Sequence, residues 1–373
     1  MTLLDEYELG ASRPFGEARA LPYGVYHDPQ VYELERKLVY DTWIPICPAG
    51  LLAKAGDYFA VDLAGEPILV IRGDDGELRA LSNVCRHRGT PLAAEGFGNA
   101  RTFVCAFHAW SYDTAGKLLA VPHPGTAKID RAAHCLPQFP IVVWKNQVFI
   151  HLNENPEPFE KTIEGVEEIF EQFGFFGEFP NDLPEIQCWS SNWKLAVENS
   201  HEPYHLFRVH KESLEDTSPT AGWFGVSGSA RMTSFAGKVM GEFTRDYQLV
   251  VGLHPFTTIV NLPAPRGKTQ DSWTILTTLP DTSAETTKLI VGGFASFEND
   301  YDEARAGDEA TAVNFLHEDE VQCDLQQRAM RAQRTRGGPQ LHLERICVDF
   351  HNHLAWRLFG SEAPKPWVGR IPA

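Results

Sequence analysis

The chain has 373 residues, 43% hydrophobic and 22% charged, with a net charge of −17. This length exceeds one small core and leads us to expect about two domains of an ordinary soluble enzyme. An acidic balance with no offsetting basic stripe argues against nucleic-acid binding, and no run of eighteen apolar residues predicts a membrane span. The first twenty residues, MTLLDEYELGASRPFGEARA, lack the basic start and apolar core of a secretory signal. The seven cysteines, at 47, 85, 105, 135, 188, 323 and 347, are odd in number and scattered. They suit a reduced, cytoplasmic chain better than a disulfide framework.

Residues 1–41 read as a helical lead-in, because DPQVYELERKLVYDTW carries apolar residues at helical spacing. From 42 to 155 the pattern changes to short strands split by Ala-Gly and Asp-Gly turns, which predicts an all-β module. The Pro-rich NENPEPFEKT marks a boundary near 155. Beyond it we expect a helix over 162–176 (TIEGVEEIFEQFGFF) and strand-like alternation over 223–297, clearest in TILTTLP and KLIVGGFASF. A long helix over 301–335 and a last one at ICVDFHNHLAWRLF should follow. Residues 156–373 are therefore an α+β domain with its strands grouped in the middle.

Two sets of metal-type side chains stand out. The first is Cys85-Arg86-His87 and Cys105-Ala106-Phe107-His108, a C-x-H and a C-x-x-H separated by seventeen residues. Cys2His2 suits a structural zinc. It also suits a two-iron, two-sulfur cluster with one iron on two Cys and the other on two His. A zinc finger usually gives its Cys pair first and its His pair second. Here each loop gives one of each, as a binuclear centre requires if each loop is to reach both irons.

The pattern NVCRHRGTPL…FVCAFHAWSYD resembles the Rieske domain of the Rieske non-haem iron oxygenases, the ring-hydroxylating large (alpha) subunits. The likeness runs from DTWIPICPAG to the C-terminal helix. The family usually has Pro after the second Cys and Gly after the second His. This chain has Ala106 and Ala109, which bears on loop stiffness and redox potential and not on ligation.

The second set lies in NSHEPYHLFRVHKES. His201-Glu202-Pro203-Tyr204-His205 spells H-E-x-x-H, the zinc-peptidase string. That reading needs both His on one face of an unbroken helix. Pro203 would remove a helix hydrogen bond and clash with the carbonyl of Asn199. The alternative frame is Glu202-x-x-His205-x4-His210, preceded by NWKLAVEN. On a straight helix His205 and His210 would stand about 140° apart, so sharing a metal demands that the helix end or distort between them. His201 is then outside the motif, a hydrogen-bonded or solvent-facing side chain.

The resemblance implies what the second set is for. His205, His210 and a carboxylate from HEDEVQCDLQQRAM would hold a mononuclear iron(II) with positions open for O2. By position the carboxylate is Asp319, with Glu318 as the alternative. Glu202 would bridge a histidine of the iron to a cluster histidine of a neighbouring copy in a head-to-tail homotrimer. Members acting on quaternary ammonium compounds also have Glu there. Asn199 in the lead-in is expected beside Glu202 among the catalytic side chains.

The family fold implied for 156–373 is a helix-grip-type catalytic domain with a central antiparallel sheet. The chain carries no Gly-rich dinucleotide fingerprint. Electrons would thus come from a separate NAD(P)H-dependent reductase, with or without a ferredoxin, and Arg86, Arg88 and Lys117 are candidates for its docking patch. Family members differ in whether a small beta subunit joins them. The substrate would be a small organic molecule, commonly aromatic, with Trp223, Phe224, Phe235, Phe243 and Phe256 as candidate pocket or core side chains. Ring dihydroxylation, monohydroxylation and oxidative demethylation all remain open.

Overall fold

The computed structural model describes residues 1–268, 271–292 and 301–370, with backbone only over 301–314. It divides into two compact units, Val39–Pro156 and the combination of Met1–Leu38 with Glu157–Ala373.

The Val39–Pro156 unit is built of eleven short strands. These are β1 (Ile44–Pro48), β2 (Asp57–Leu63), β3 (Glu66–Arg72), β4 (Leu78–Ser82), β5 (Gly96–Asn99), β6 (Thr102–Val104), β7 (Ser111–Asp113), β8 (Leu118–Ala120), β9 (Gln138–Phe139), β10 (Ile141–Trp144) and β11 (Gln147–Ile150). They form antiparallel sheets in the orders β5-β2-β3-β4-β9, β1-β11-β10 and β6-β7-β8. Turn chemistry sets the register. Ala64 and Gly65 take φ of 54° and 92° between paired Leu63 and Glu66, the left-handed pair that a two-residue hairpin needs. Lys145 and Asn146 do the same between Trp144 and Gln147. The strands bury Ala60, Leu69, Ile71, Leu81, Phe103 and Tyr112 in one core, and Cys85 and Cys105 sit in it too.

The other unit is α+β. Its helices are α1 (Leu3–Ala11), α2 (Pro29–Glu35), α3 (Val166–Gln172), α4 (Trp193–His201), α5 (Tyr301–Ala329) and α6 (Arg345–Phe359). Its strands are β12 (Glu185–Trp189), β13 (Trp223–Gly228), β14 (Met232–Lys238), β15 (Tyr247–Leu253), β16 (Thr257–Leu262), β17 (Ser272–Pro280), β18 (Thr287–Gly292) and β19 (Trp367–Val368). They make one eight-stranded antiparallel sheet in the order β12-β18-β17-β16-β15-β14-β13-β19. Helix α6 lies on β13 and β14, and α4 lies on β15 to β18. Burial is continuous along β14 and β18, from Met232 to Gly237 and Thr287 to Gly292. The expected alternation fails there because both faces are covered.

Three boundaries differ from the sequence expectation. The helix expected over 162–176 shrinks to α3, since Gly165 and Gly174 take φ of 82° and 73° and close it at both ends. The helix expected over 301–335 stops at Ala329, ahead of Gly337-Gly338-Pro339, which cannot continue it. The lead-in over 1–41 is two short helices and 3-10 turns. The end of KLIVGGFASF lies outside the described residues.

The lead-in is tied to α4 through a buried charge. Glu35, 0% exposed, accepts from Lys194 Nζ at 2.8 Å, Trp193 Nε1 at 2.8 Å and the Tyr7 hydroxyl at 2.6 Å. A buried carboxylate survives only when paired and fully hydrogen-bonded, and here three donors from two chain segments meet it. Helix α4 is thereby pinned at its first turn, where Asn192 also caps it by accepting from Lys194 N–H.

Candidate metal centres

The first donor set occupies two matched loops. Gly89 N–H donates to Cys85 O at 3.0 Å, and Ala109 N–H donates to Cys105 O at 2.9 Å. Each closing residue is left-handed, Gly89 at φ 78° and Ala109 at φ 56°. Both sulfurs are buried and unbridged, while His87 and His108 are exposed. The two imidazoles stand 4.6 Å apart, centre to centre, and His87 stacks on Trp110. Burial works to raise the Cys105 thiol, but N–H groups of Phe107 and His108, with Cys85 and Thr90, draw it below its ordinary range. That favours the thiolate a metal requires. The Tyr112 hydroxyl lies 3.5 Å from Cys85 Sγ and accepts from Arg86 N–H at 3.0 Å. Nothing in the one-dimensional pattern singled out Tyr112. Soft thiolates inside and imidazoles outside form a donor set that fits an iron–sulfur cluster of mixed ligation.

The second set depends on where α4 stops. A residue before proline avoids helical angles, and Glu202 is extended at φ −107°, ψ 137°. The helix therefore ends at His201, and the zinc-peptidase geometry, which needs unbroken helix through His205, is absent. Glu202 turns back over the following residues. One carboxylate oxygen accepts from the N–H groups of Tyr204 and His205, and the other from His205 Nδ1 at 2.7 Å. Irregular turns then carry the chain on, with His210 N–H donating to Leu206 O at 3.2 Å. The result brings the rings of His205 and His210 to 4.9 Å, which a straight helix would not do.

Asp319 arrives from α5, 109 positions after His210 (319 − 210). Its Oδ1 lies 2.9 Å from His210 Nε2 and 3.6 Å from His205 Nε2. One ligand atom from each of His205, His210 and Asp319 falls within 4.8 Å of the other two. Glu318 faces elsewhere: its Oε2 accepts from His210 Nδ1 at 2.7 Å and from the Ser213 hydroxyl at 2.6 Å. Each imidazole thus has a carboxylate behind it and Nε2 directed forward. A carboxylate behind a ligating imidazole fixes the ring and raises its basicity. Two His and one carboxylate is the donor set of non-haem iron(II) sites.

These donors form part of the wall of a cavity of about 260 Å³ within this unit. Asn199, Trp223 and Phe243 line it, as do Leu206, Leu214, Val250, Val260, Leu276 and Phe315. Phe224, Phe235 and Phe256 do not: Phe224 meets Tyr247, Phe235 is core and Phe256 packs on Trp193. His201 departs from expectation. It is 1% exposed, and neither ring nitrogen has a hydrogen-bond partner among the described residues.

A family profile described as the Rieske [2Fe-2S] domain matches residues 42–140. The chain is 29% identical over 201 residues to the glycine betaine monooxygenase oxygenase subunit of Chromohalobacter salexigens, covering 52% of this chain and 44% of that one. It is 29% identical over 206 residues to the anthranilate 1,2-dioxygenase large subunit of Acinetobacter baylyi, covering 53% and 44%. The matches thus span less than half the length of these relatives. In fold it is similar to a quaternary ammonium Rieske monooxygenase, with a TM-score of 0.83 at 23% identity over 94% of this chain and 98% of that one. Naphthalene 1,2-dioxygenase from Rhodococcus sp. gives 0.77 at 17% identity over 96% and 98%. Among the described residues, no helix is long and apolar enough to cross a membrane.

Proposed function

We propose that the chain, which carries a Rieske domain profile and is similar to the oxygenase subunits above, is a Rieske non-haem iron oxygenase: a terminal oxygenase component that hydroxylates a small, largely apolar organic substrate with O2. The observation that carries this is the convergence of His205, His210 and Asp319 on the wall of an apolar cavity. Cys85, His87, Cys105 and His108 would hold the [2Fe-2S] cluster, and His205, His210 and Asp319 the iron(II). When bound, these groups relay electrons and activate O2.

The chain's own residues do the positioning. Glu318 and Glu202 hold the two imidazoles by their Nδ1–H groups. A carboxylate has about four lone-pair sites. Glu202 uses three of them within the chain, which leaves one on Oε1 to accept from an imidazole of a neighbouring copy in a homotrimer. We assign electron supply to a separate NAD(P)H-dependent reductase, with or without a ferredoxin, and place the protein in the cytoplasm. Substitution Glu202→Gln is expected to keep both metals and slow oxidation of the reduced cluster. An unchanged stopped-flow trace would remove Glu202 from that role.

Among the described lining residues there is no Lys or Arg. A carboxylate-bearing substrate would leave water with no cationic partner, so a neutral aromatic fits better. Gln248 and Ser218, joined by a hydrogen bond, offer one polar group on a largely apolar wall that also carries Ser200, Thr217, Ser272 and Thr274. The second reading is oxidative demethylation of a quaternary ammonium compound. Trp223, Phe243 and Phe315 on the lining are aromatic side chains of the kind that a bulky cation can use. One assay separates them: the reconstituted protein, a surrogate reductase and a panel of neutral arenes, benzoates and trimethylammonium compounds, scored for product mass and formaldehyde. About three irons per chain with acid-labile sulfide is the accompanying expectation. Zinc without sulfide would end the oxygenase reading.

A further inference from the structure

Behind the cavity wall runs a row of buried histidines that no metal ligand set uses. His201 lines the cavity. Its ring centre is 5.6 Å from that of His254, which is 5.5 Å from that of His353. The three rings are 1%, 4% and 1% exposed. His353 Nδ1–H donates to the carbonyl of Ala230 at 2.7 Å, in a half-buried loop beside Arg231, which pairs with the exposed Glu157. The row therefore has one end at the cavity and the other at a loop that reaches the surface.

Five ring nitrogens in this row have no partner among the described residues: both of His201, both of His254, and Nε2 of His353. Buried polar nitrogens are rarely left unpaired, because an unmade hydrogen bond forfeits the solvation the group had in water. No direct ring-to-ring hydrogen bond exists between them. A single water bonded at about 2.8 Å to two nitrogens spans the separations seen here. The strand also makes room for the row: a Cβ at Gly252 would come 2.8 Å from His201 Nε2.

We propose that His201, His254 and His353 hold a chain of ordered waters and pass protons through it from the 229–231 loop to the cavity. The inference rests on the oxygenase reading for its purpose. Monohydroxylation takes O2, two electrons and two protons: one oxygen atom enters a substrate C–H bond and the other leaves as water. Dihydroxylation takes the same two electrons and two protons into the diol. The electrons come from the reductase, and the protons must reach a largely apolar cavity.

A neutral imidazole has one donor and one acceptor, so it can take a proton on one nitrogen while releasing one from the other. Burial keeps these rings neutral, with His201 and His353 each pushed down to about 3 and His254 pushed well below its ordinary range. The cationic neighbours Arg231 and Arg357 act in the same direction at His353, and His351 does so at His201.

Two experiments test this. The first is a high-resolution crystal structure of the resting protein. Ordered solvent bridging His201 to His254 and His254 to His353 is expected, and dry contacts between the rings would overturn the proposal whether or not the chain is an oxygenase. The second is single turnover of pre-reduced protein in H2O and D2O, for the wild type, His254→Phe and the milder His254→Asn. With iron, sulfide and substrate binding unchanged, His254→Phe is expected to slow product formation roughly tenfold or more. More hydrogen peroxide per O2, an enlarged solvent isotope effect and partial rescue by added imidazole should accompany the slowing. Wild-type rates and isotope effects in both variants would overturn the relay.

Discussion

The two donor sets are built in opposite ways. In the first, four side chains hang from two short loops, and each loop closes on its own through one N–H to the cysteine carbonyl four residues back. Its geometry is local, so short-range pattern suffices to specify it. In the second, a helix stop, a run of irregular turns and a residue 109 positions on must meet (319 − 210). That meeting relies on α4 and α5 being seated, and the seating involves groups far from either motif. Asn192 N–H donates to Gln327 Oε1 at 2.9 Å between those two helices, and Glu35 pins α4 to the lead-in. A local site tolerates distant change, whereas an assembled site inherits every weakness of its scaffold.

The largest expected contrast follows from Asp319→Ala. It should remove one iron of about three and abolish product formation, while the visible absorption of the first set persists. Glu318→Gln, which leaves the ligands in place, should weaken iron binding roughly 10- to 100-fold. Metal analysis after dialysis against a weak chelator distinguishes the two.

Acid should act next. His201 and His353 are held near 3 by burial, and His254 well below its ordinary range, against about 6.5 when unfolded. Their folded values are depressed, so the stability they lend is complete above pH 6.5. It is lost as pH falls toward 3, at about 1.4 kcal/mol per unit for each ring. Denaturant midpoints measured from pH 8 to 4 should drop steeply below 6.5. Replacing His201 and His254 by Phe should flatten that slope.

Glu35→Ala should cost roughly 3–5 kcal/mol, because it strands the buried Lys194 ammonium. Iron should be lost from the second set before the first loses its colour. The paired change Glu35→Gln with Lys194→Met should recover most of that stability in a thermal melt. The smallest effect probes the first set itself. Ala109 sits at φ 56°, where Gly89 occupies the matching place in the partner loop. Ala109→Gly should relieve left-handed strain of about 1 kcal/mol. The melting temperature should rise by a few degrees at most.

Much of this was legible in one dimension. The C-x-H and C-x-x-H loops, the β-module and the halt imposed by Pro203 are all written in neighbouring residues. Which of Glu318 and Asp319 lies nearer the two Nε2 atoms was not, since adjacent residues on a helix point about 100° apart and only the packing of α5 sets Asp319 beside Nε2 and Glu318 behind Nδ1 of His210. Glu202 accepts from His205 Nδ1 within the chain, and its capping of the next turn through the N–H groups of Tyr204 and His205 emerges only in three dimensions. His201 reads in the sequence as hydrogen-bonded or solvent-facing, whereas the structure buries it and gives neither ring nitrogen a protein partner among the described residues. Its fate is set by Gly252 and His254, more than fifty positions away. The buried pair of Glu35 and Lys194 has no local pattern to mark it.

What the sequence determined alone is chemistry: which donor atoms exist, in what pairs, and where the backbone must turn to present them. These follow from residue type and from angles that proline and left-handed residues restrict within a few positions. What only the tertiary structure decided is convergence: the approach of Asp319 to the Nε2 atoms of His205 and His210, the seating of α4 on Glu35, and the row of imidazoles behind the cavity. Those depend on burial and on contacts between distant segments, and free energies of that kind have no counterpart in any short stretch of chain.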